Sequence, residues 1–283
     1  MRGLTLLVFL GGCAALGGVD DGTSLSDGWG HNGRLVNAAE LPVRGDGYVI
    51  PDTWASRGLN YGTDELVGLI VRAARRVRLE QPRAVLHVAD LSPRRGGGSA
   101  WHRSHQTGRD ADLHFFALDP AGHPAAPPTV MLPFDADGVS QPSPDGRMPV
   151  RSFDVASNWL LVRALLEDPE VDVQFLFVST PLRQKLIDHA LALGEPVELV
   201  ARASAVLVQP GDSLPHDDHL HLRIYCPASD RALGCFDRGP QRWYKKDWKY
   251  VVARPRATAV VEPMVQLAPA TLCRLPAMGL IAR

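Results

Sequence analysis

Apolar residues recur at helical spacing through Leu66, Leu69, Ile70, Ala73 and Val77, which predicts a helix with one inward stripe. Thr63 stands before it as a cap, and Pro82 limits its far end. A second helix is predicted through Trp159, Leu160, Val162, Leu165 and Leu166 behind a capping Asp154. A third runs from Thr180-Pro181, a cap residue with proline in the first turn, to a stop at Gly194. Shorter apolar runs predict strands over 84–90, 171–178, 205–208 and 220–225, and a turn leading into a short strand over 41–50. Over 110–116 the alternation places Asp110, Asp112 and His114 on one face, with Leu113 and Phe115 toward the core.

Helices and strands mix here without a regular βαβ beat. The pattern predicts an α+β domain: a central antiparallel sheet with flanking helices. Residues 119–150 carry eight prolines and several glycines, which excludes a long regular element and predicts an extended surface insertion. Residues 14–35 are rich in Gly, Asp and Ser without apolar period, and predict a flexible linker. The domain is then expected over 36–250, with an irregular tail over 251–283.

The first thirteen residues have a positive start and an apolar core too short to span a bilayer, the layout of an export signal. Leu10-Gly-Gly-Cys13 resembles a lipobox, in which Cys13 would be lipidated and hold the chain at a membrane; the other reading is cleavage near Ala15 or Gly18, giving a soluble periplasmic or secreted protein. In an exported chain cysteines tend to pair, and Cys226 and Cys235 flank a turn-rich loop that predicts a local disulfide. Cys273 is left either alone or paired with Cys13. A formal net charge of -1 removes any bulk electrostatic case for nucleic acid as a partner.

The candidate chemistry lies in two short clusters. In Ser104-His105-x-x-Gly108-x-Asp110-x-Asp112 an imidazole and a carboxylate flank a glycine where the backbone can turn sharply. Far downstream, His216-Asp-Asp-His219-Leu-His221 places two imidazoles on one face of a predicted strand. His105, Asp112 and His221 offer N, O and N, the three protein ligands of a catalytic zinc ion with one position left open, on one face of the sheet. His219 is placed to act as the neighbouring base. His216 and His102 are further candidates as base, hydrogen-bond donor or partner to a ligand, and His102 also as a fourth ligand. His31, His87, His114, His123 and His189 read as ordinary surface or core residues, although His114 also stands next to the first cluster. Ser104 has neither a Gly-x-Ser-x-Gly nor a Ser-x-x-Lys setting, which argues against a serine nucleophile.

The segments Gly96-Gly97-x-x-x-x-His102-x-Ser-His105-Gln-Thr-Gly108-x-Asp-x-Asp112 and His216-x-x-His219-x-His221-x-Arg223-x-x-Cys226-Pro227 resemble the penicillin-insensitive murein endopeptidases, within the lysostaphin-type and D-Ala-D-Ala metallopeptidase superfamily. The resemblance runs from about Leu35 to Cys235 and includes Phe175-Leu-Phe-Val178. It implies a periplasmic zinc enzyme cutting the D-alanyl to meso-diaminopimelyl crosslink between peptidoglycan stem peptides. By motif position it implies His105, Asp112 and His221 as zinc ligands, His219 and His216 as catalytic histidines, and His102 as an accessory group. Ser213-Leu-Pro215 departs from the aromatic pair usual in the family before His216, which affects the shape of the groove rather than the metal chemistry.

Two other functions compete. A carboxypeptidase or dipeptidase would keep the same metal but act on a free D-alanyl end, and only an endopeptidase converts crosslinked dimers to monomers. A non-catalytic wall-binding module would rest on the aromatic and cationic run Gln241-Arg-Trp-Tyr-Lys-Lys-Asp-Trp-Lys-Tyr250.

Overall fold

A computed structural model describes residues 22–211 and 213–240. The export signal with Cys13, the start of the linker, the Gln241–Tyr250 run, Cys273 and the tail lie outside these residues. Among the described residues no helix is long and apolar enough to cross a membrane.

The three predicted helices are present, as Asp64–Glu80, Val155–Leu166 and Thr180–Ala192. Thr63 Oγ1 accepts the Leu66 amide at 3.3 Å, and Asp154 Oδ1 accepts that of Ser157 at 3.1 Å, so both caps use the expected side chains. Leu66, Leu69, Ile70, Ala73 and Val77 are all buried. They face Val155–Leu166, which in turn packs on Thr180–Ala192.

A fourth helix, Val197–Val206, occupies ground where the sequence pattern predicts a strand from 205. Leu199, Val200, Ala203 and Val206 are buried at helical spacing, and only Leu207–Val208 is extended. The predicted strand thus starts two residues late because the alanines and valines before it complete a helical stripe.

The central sheet has four strands in the order Leu207–Val208, Val173–Phe177, His219–Ile224, Asp110–His114. His219–Ile224 runs antiparallel to both neighbours, as expected. The Leu207–Val208 edge pairs in parallel with Val173–Phe177, so the sheet is mixed. The two helices between these strands provide the crossover that a parallel pair needs.

The expected flexible linker is corrected by the structure over its described part. Leu25–Trp29 and Asn32–Val36 form an antiparallel hairpin. Its residues carry no apolar period because it is held by polar contacts. Buried Ser26 takes the Arg109 Nε–H at 3.0 Å on its hydroxyl and donates its amide to Asp230 at 2.8 Å. Gly28 sits at φ +92°, where a Cβ would lie 2.5 Å from the Asn32 carbonyl oxygen.

The 119–150 stretch holds no long element, as its prolines require. It contributes Val139–Ser140 to a small antiparallel sheet with Arg151–Phe153 and Ala117–Leu118. Cys226 and Cys235 form the expected disulfide directly after the His219–Ile224 strand.

Candidate metal centre

The register of the two inner strands pairs His221 with Asp112, Arg223 with Asp110 and His219 with His114. Alternate positions of each strand therefore share a face, and the fold brings together every residue the two motifs nominated. His105 Nε2 lies 3.4 Å from Asp112 Oδ1, His221 Nδ1 lies 3.2 Å from it and His219 Nε2 lies 3.3 Å from it. His102 Nδ1 is 3.6 Å from the other oxygen of Asp112. Ring contacts join His105 to both His102 and His221, at centroid distances of 4.1 and 4.8 Å. His216 stands at the margin, with its ring 5.2 Å from His219 and 5.6 Å from His221.

Each imidazole around Asp112 is held from its far side. His105 Nδ1 contacts the Leu91 carbonyl at 2.8 Å; a carbonyl only accepts, so Nδ1 carries the proton and Nε2 presents a lone pair. Asp110 similarly holds His221 Nε2 at 2.8 Å, Asp218 holds His219 Nδ1 at 2.6 Å and Asp90 holds His102 Nε2 at 2.9 Å. Such outer partners fix the tautomer and ring orientation of metal-binding histidines. Asp90 is itself paired with Arg57 at 2.6 Å, and Asp110 with Arg223 at 2.6 Å. Sequence reading assigned no role to Asp90 or Asp218, although Asp218 directly precedes His219 and Asp90 closes a predicted strand.

His105 and Asp112 are buried, and His105 Nε2 and Asp112 Oδ1 have no hydrogen-bond partner. Lone pairs of His105 and His221 thus face a carboxylate oxygen across the distances given, acceptor against acceptor. Positive charge between them, carried by a proton or a cation, stabilises that arrangement, and the nitrogen and oxygen donors suit a divalent cation. The ligand-capable atoms of His102, His105 and Asp112 lie within 4.8 Å of one another, as do those of His216, His219 and His221. The residues present fit a metal ion.

Charge follows the same geometry. Burial works to raise the carboxyl pKa of Asp112, but His219 and His105 outweigh it and hold it well below the usual range. Asp110 shows the same opposition, with Arg223 and then His221 prevailing over burial. Burial acts to lower the pKa of His219, yet Asp112 and Asp218 push it up to about 10. His216 goes the other way, lowered to about 4 by burial and then by the neighbouring imidazoles. Two adjacent histidines are driven apart in basicity.

The backbone around the first motif is shaped for this purpose. His105 sits at φ +65°, in the left-handed region that a side chain rarely adopts, and Gly108 follows at φ +74°. The Gln106 amide donates to the Gly30 carbonyl at 3.1 Å, so the hairpin turn braces the ligand loop. Ser104 has no histidine against its hydroxyl among the described residues, because the His105 ring turns to Leu91. A cavity of about 350 Å³ lies on the far side of Arg223, lined by Trp29, Phe175, Phe236 and Arg238. None of the clustered histidines lines it, and the converging unpartnered donors mark the chemistry instead.

An α+β domain with a buried histidine and carboxylate cluster that could hold a cation is a setting suited to a hydrolase. The family model for penicillin-insensitive murein endopeptidase matches residues 26–242, and the chain belongs to that family. It is 30% identical over 220 residues to a penicillin-insensitive murein endopeptidase of Klebsiella pneumoniae subsp. pneumoniae, covering 77% of this chain and 72% of the relative. It is 31% identical over 221 residues to proteins of the same name from Salmonella paratyphi C and Salmonella arizonae, covering 77% of this chain and 71% of each.

Proposed function

We propose that this chain hydrolyses the D-alanyl to meso-diaminopimelyl crosslink of peptidoglycan with a zinc ion held by His105, Asp112 and His221. The observation that carries this reading is the convergence of His105 Nε2 and His221 Nδ1 on Asp112 Oδ1, at 3.4 and 3.2 Å, with the other nitrogen of each ring already held by an acceptor. Family membership supports the substrate and the peptidase activity. When bound, zinc would supply Lewis acidity, polarising the carbonyl and lowering the pKa of a coordinated water toward about 7.

The chain's own residues do the rest. His216, lowered to about 4, is neutral at pH 7 and takes the role of proton acceptor that the sequence pattern assigns to His219. His219 is the donor toward developing negative charge or the departing amine. Once Asp112 is engaged by a cation, Asp218 at 2.6 Å is the group that keeps the proton on His219. His102 is an accessory group, oriented by Asp90 and facing Asp112. The enzyme acts in the periplasm, exported by residues 1–13 and either held through Cys13 or released, with the catalytic domain within 36–250 now extended to include the hairpin.

Purified crosslinked muropeptide dimers, incubated with the protein and resolved by mass spectrometry, test the proposal. Monomers should accumulate, stop accumulating after exhaustive chelation, and return with zinc. Unchanged dimer with metal-replete protein rules out the assigned bond; undiminished cleavage after demetallation rules out the zinc.

A further inference from the structure

Beyond the metal cluster, the row Asp110, Asp112, His114 ends in a recess walled by Val130, Leu132 and Phe134, with His114, Arg151 and Asp218 as its polar groups. Arg151, on the Arg151–Phe153 strand, is only 7% exposed. Its Nε has no hydrogen-bond partner, and no carboxylate oxygen among the described residues comes within 4.0 Å of its guanidinium. His114 is 4% exposed and its Nε2 is also without a partner. Asp218 is committed to His219.

A guanidinium stays charged in a protein, and a buried charge without a counterion is costly. The other strongly buried arginine, Arg109, follows the ordinary rule, with Asp237 at 3.0 Å. Arg151 stands apart among the described residues as a largely buried cation without a carboxylate partner, its Nε shut off from solvent, beside a second unused polar atom at the edge of a recess. The one carboxylate of the recess, Asp218, is held by His219 and lies beyond 4.0 Å from Arg151, which leaves the guanidinium open to an anion from outside.

Its position says which one. His114 is the cross-strand partner of His219, so the recess begins about 5 Å from the cluster, little more than one residue of extended peptide. In a D-alanyl to meso-diaminopimelyl crosslink, the carbon bearing the amine to be released also bears a carboxylate. We propose that Arg151, assisted by His114, binds that carboxylate and so selects the amine side of the scissile bond. The assignment of this carboxylate rests on the crosslink reading above.

The test compares crosslinked dimers whose diaminopimelyl carboxylate at that carbon is free or amidated. Wild type should prefer the acid. Arg151→Met should lose about 10- to 100-fold in kcat/KM on the acid, mostly through KM, the scale of one charged hydrogen bond. On the amide it should change little, and Arg151→Lys should recover part of the preference. An Arg151→Met protein with unchanged melting temperature and intact acid preference overturns the proposal.

Because removing a buried charge can unfold a protein, a second measurement uses the wild-type holoenzyme alone. The Arg151 Nε–H resonance is followed by NMR during titration with diaminopimelate, with its diamide and with inorganic phosphate. A saturable shift with diaminopimelate and none with the diamide supports the site. No shift with diaminopimelate, or one with phosphate only, sinks it. If wild type cleaves neither dimer, the crosslink reading has failed, and the titration still decides whether the recess takes a carboxylate.

Discussion

Asp112 and His114 are two residues apart on one strand, share a face and are both buried, yet they sit in opposite electrostatic worlds. Four imidazoles surround Asp112, each anchored from behind by an acceptor, three of them carboxylates. His114 has His87 and Arg151 for neighbours; burial and then His87 hold its pKa well below the usual histidine value. One end of the row has donors and acceptors arranged around a missing cation. The other has one largely buried cation, Arg151, beside two imidazoles held neutral, and no carboxylate among the described residues within ion-pair reach of it. A bond to be broken between two such ends would have its carbonyl at the first and a carboxylate at the second.

Three experiments sharpen that contrast. The largest effect belongs to Asp112→Ala, which removes the one group on which all four imidazoles converge. Cleavage should fall by at least about 10³-fold, the scale expected when an ion contributing several kcal/mol of transition-state stabilisation is lost, and metal analysis should find the protein empty. A variant that keeps its metal and activity would show that the cluster is not organised around this carboxylate.

Next comes Asp110→Asn, which leaves the ligands in place but takes the charge from behind His221. Zinc affinity, measured by competition with a chromogenic chelator, should weaken about 10- to 100-fold. Wild-type affinity would mean that an uncharged amide oxygen behind His221 serves as well as the carboxylate.

The smallest effect is a change of slope at the cationic end. Burial, and then Arg151, lower the His87 pKa to about 4, against about 6.5 in the unfolded chain. Between those values the unfolded chain binds a proton that the folded one refuses, so stability is retained above pH 6.5 and falls as the pH drops toward 4. His87→Gln should flatten the fall in melting temperature between pH 6.5 and 4.5. An unaltered slope would show that His87 is not held below its unfolded value in the native protein.

Much of this site could be read before any coordinates. The spacing of His105 and Asp112, and the two-residue period of His219 and His221, are local facts that a strand converts directly into a shared face. What could not be read was the support behind it. Asp90 reaches His102 across twelve residues and Asp110 reaches His221 across 111, and nothing in local pattern announces such partners. Arg151 was hidden for a related reason: its meaning lies in having no counterion, which only three-dimensional neighbours reveal. Asp64–Glu80 and Val155–Leu166 were legible because their apolar stripes and caps agree; Thr180–Ala192 was legible from Pro181 and Gly194 at its ends, although its N-cap is Ser179, with no side-chain cap bond, and not the expected Thr180. The Leu25–Val36 hairpin was not, because glycine and serine hold it in place of an apolar face. The Val197–Val206 helix was obscured by valines, which suit strands as well.

That hairpin sets a limit on how the chain can be shortened. Gly30 at its tip receives the amide next to His105, Leu35 donates to the Arg95 carbonyl at 3.0 Å, and Gly28 exchanges backbone hydrogen bonds with Gly234 and Phe236 beside the cystine. An expression boundary drawn at Leu41, where the first familiar turn begins, would sever all of these at once. It would also remove buried Leu35 and free the segment that carries the first ligand, so metal binding should slacken.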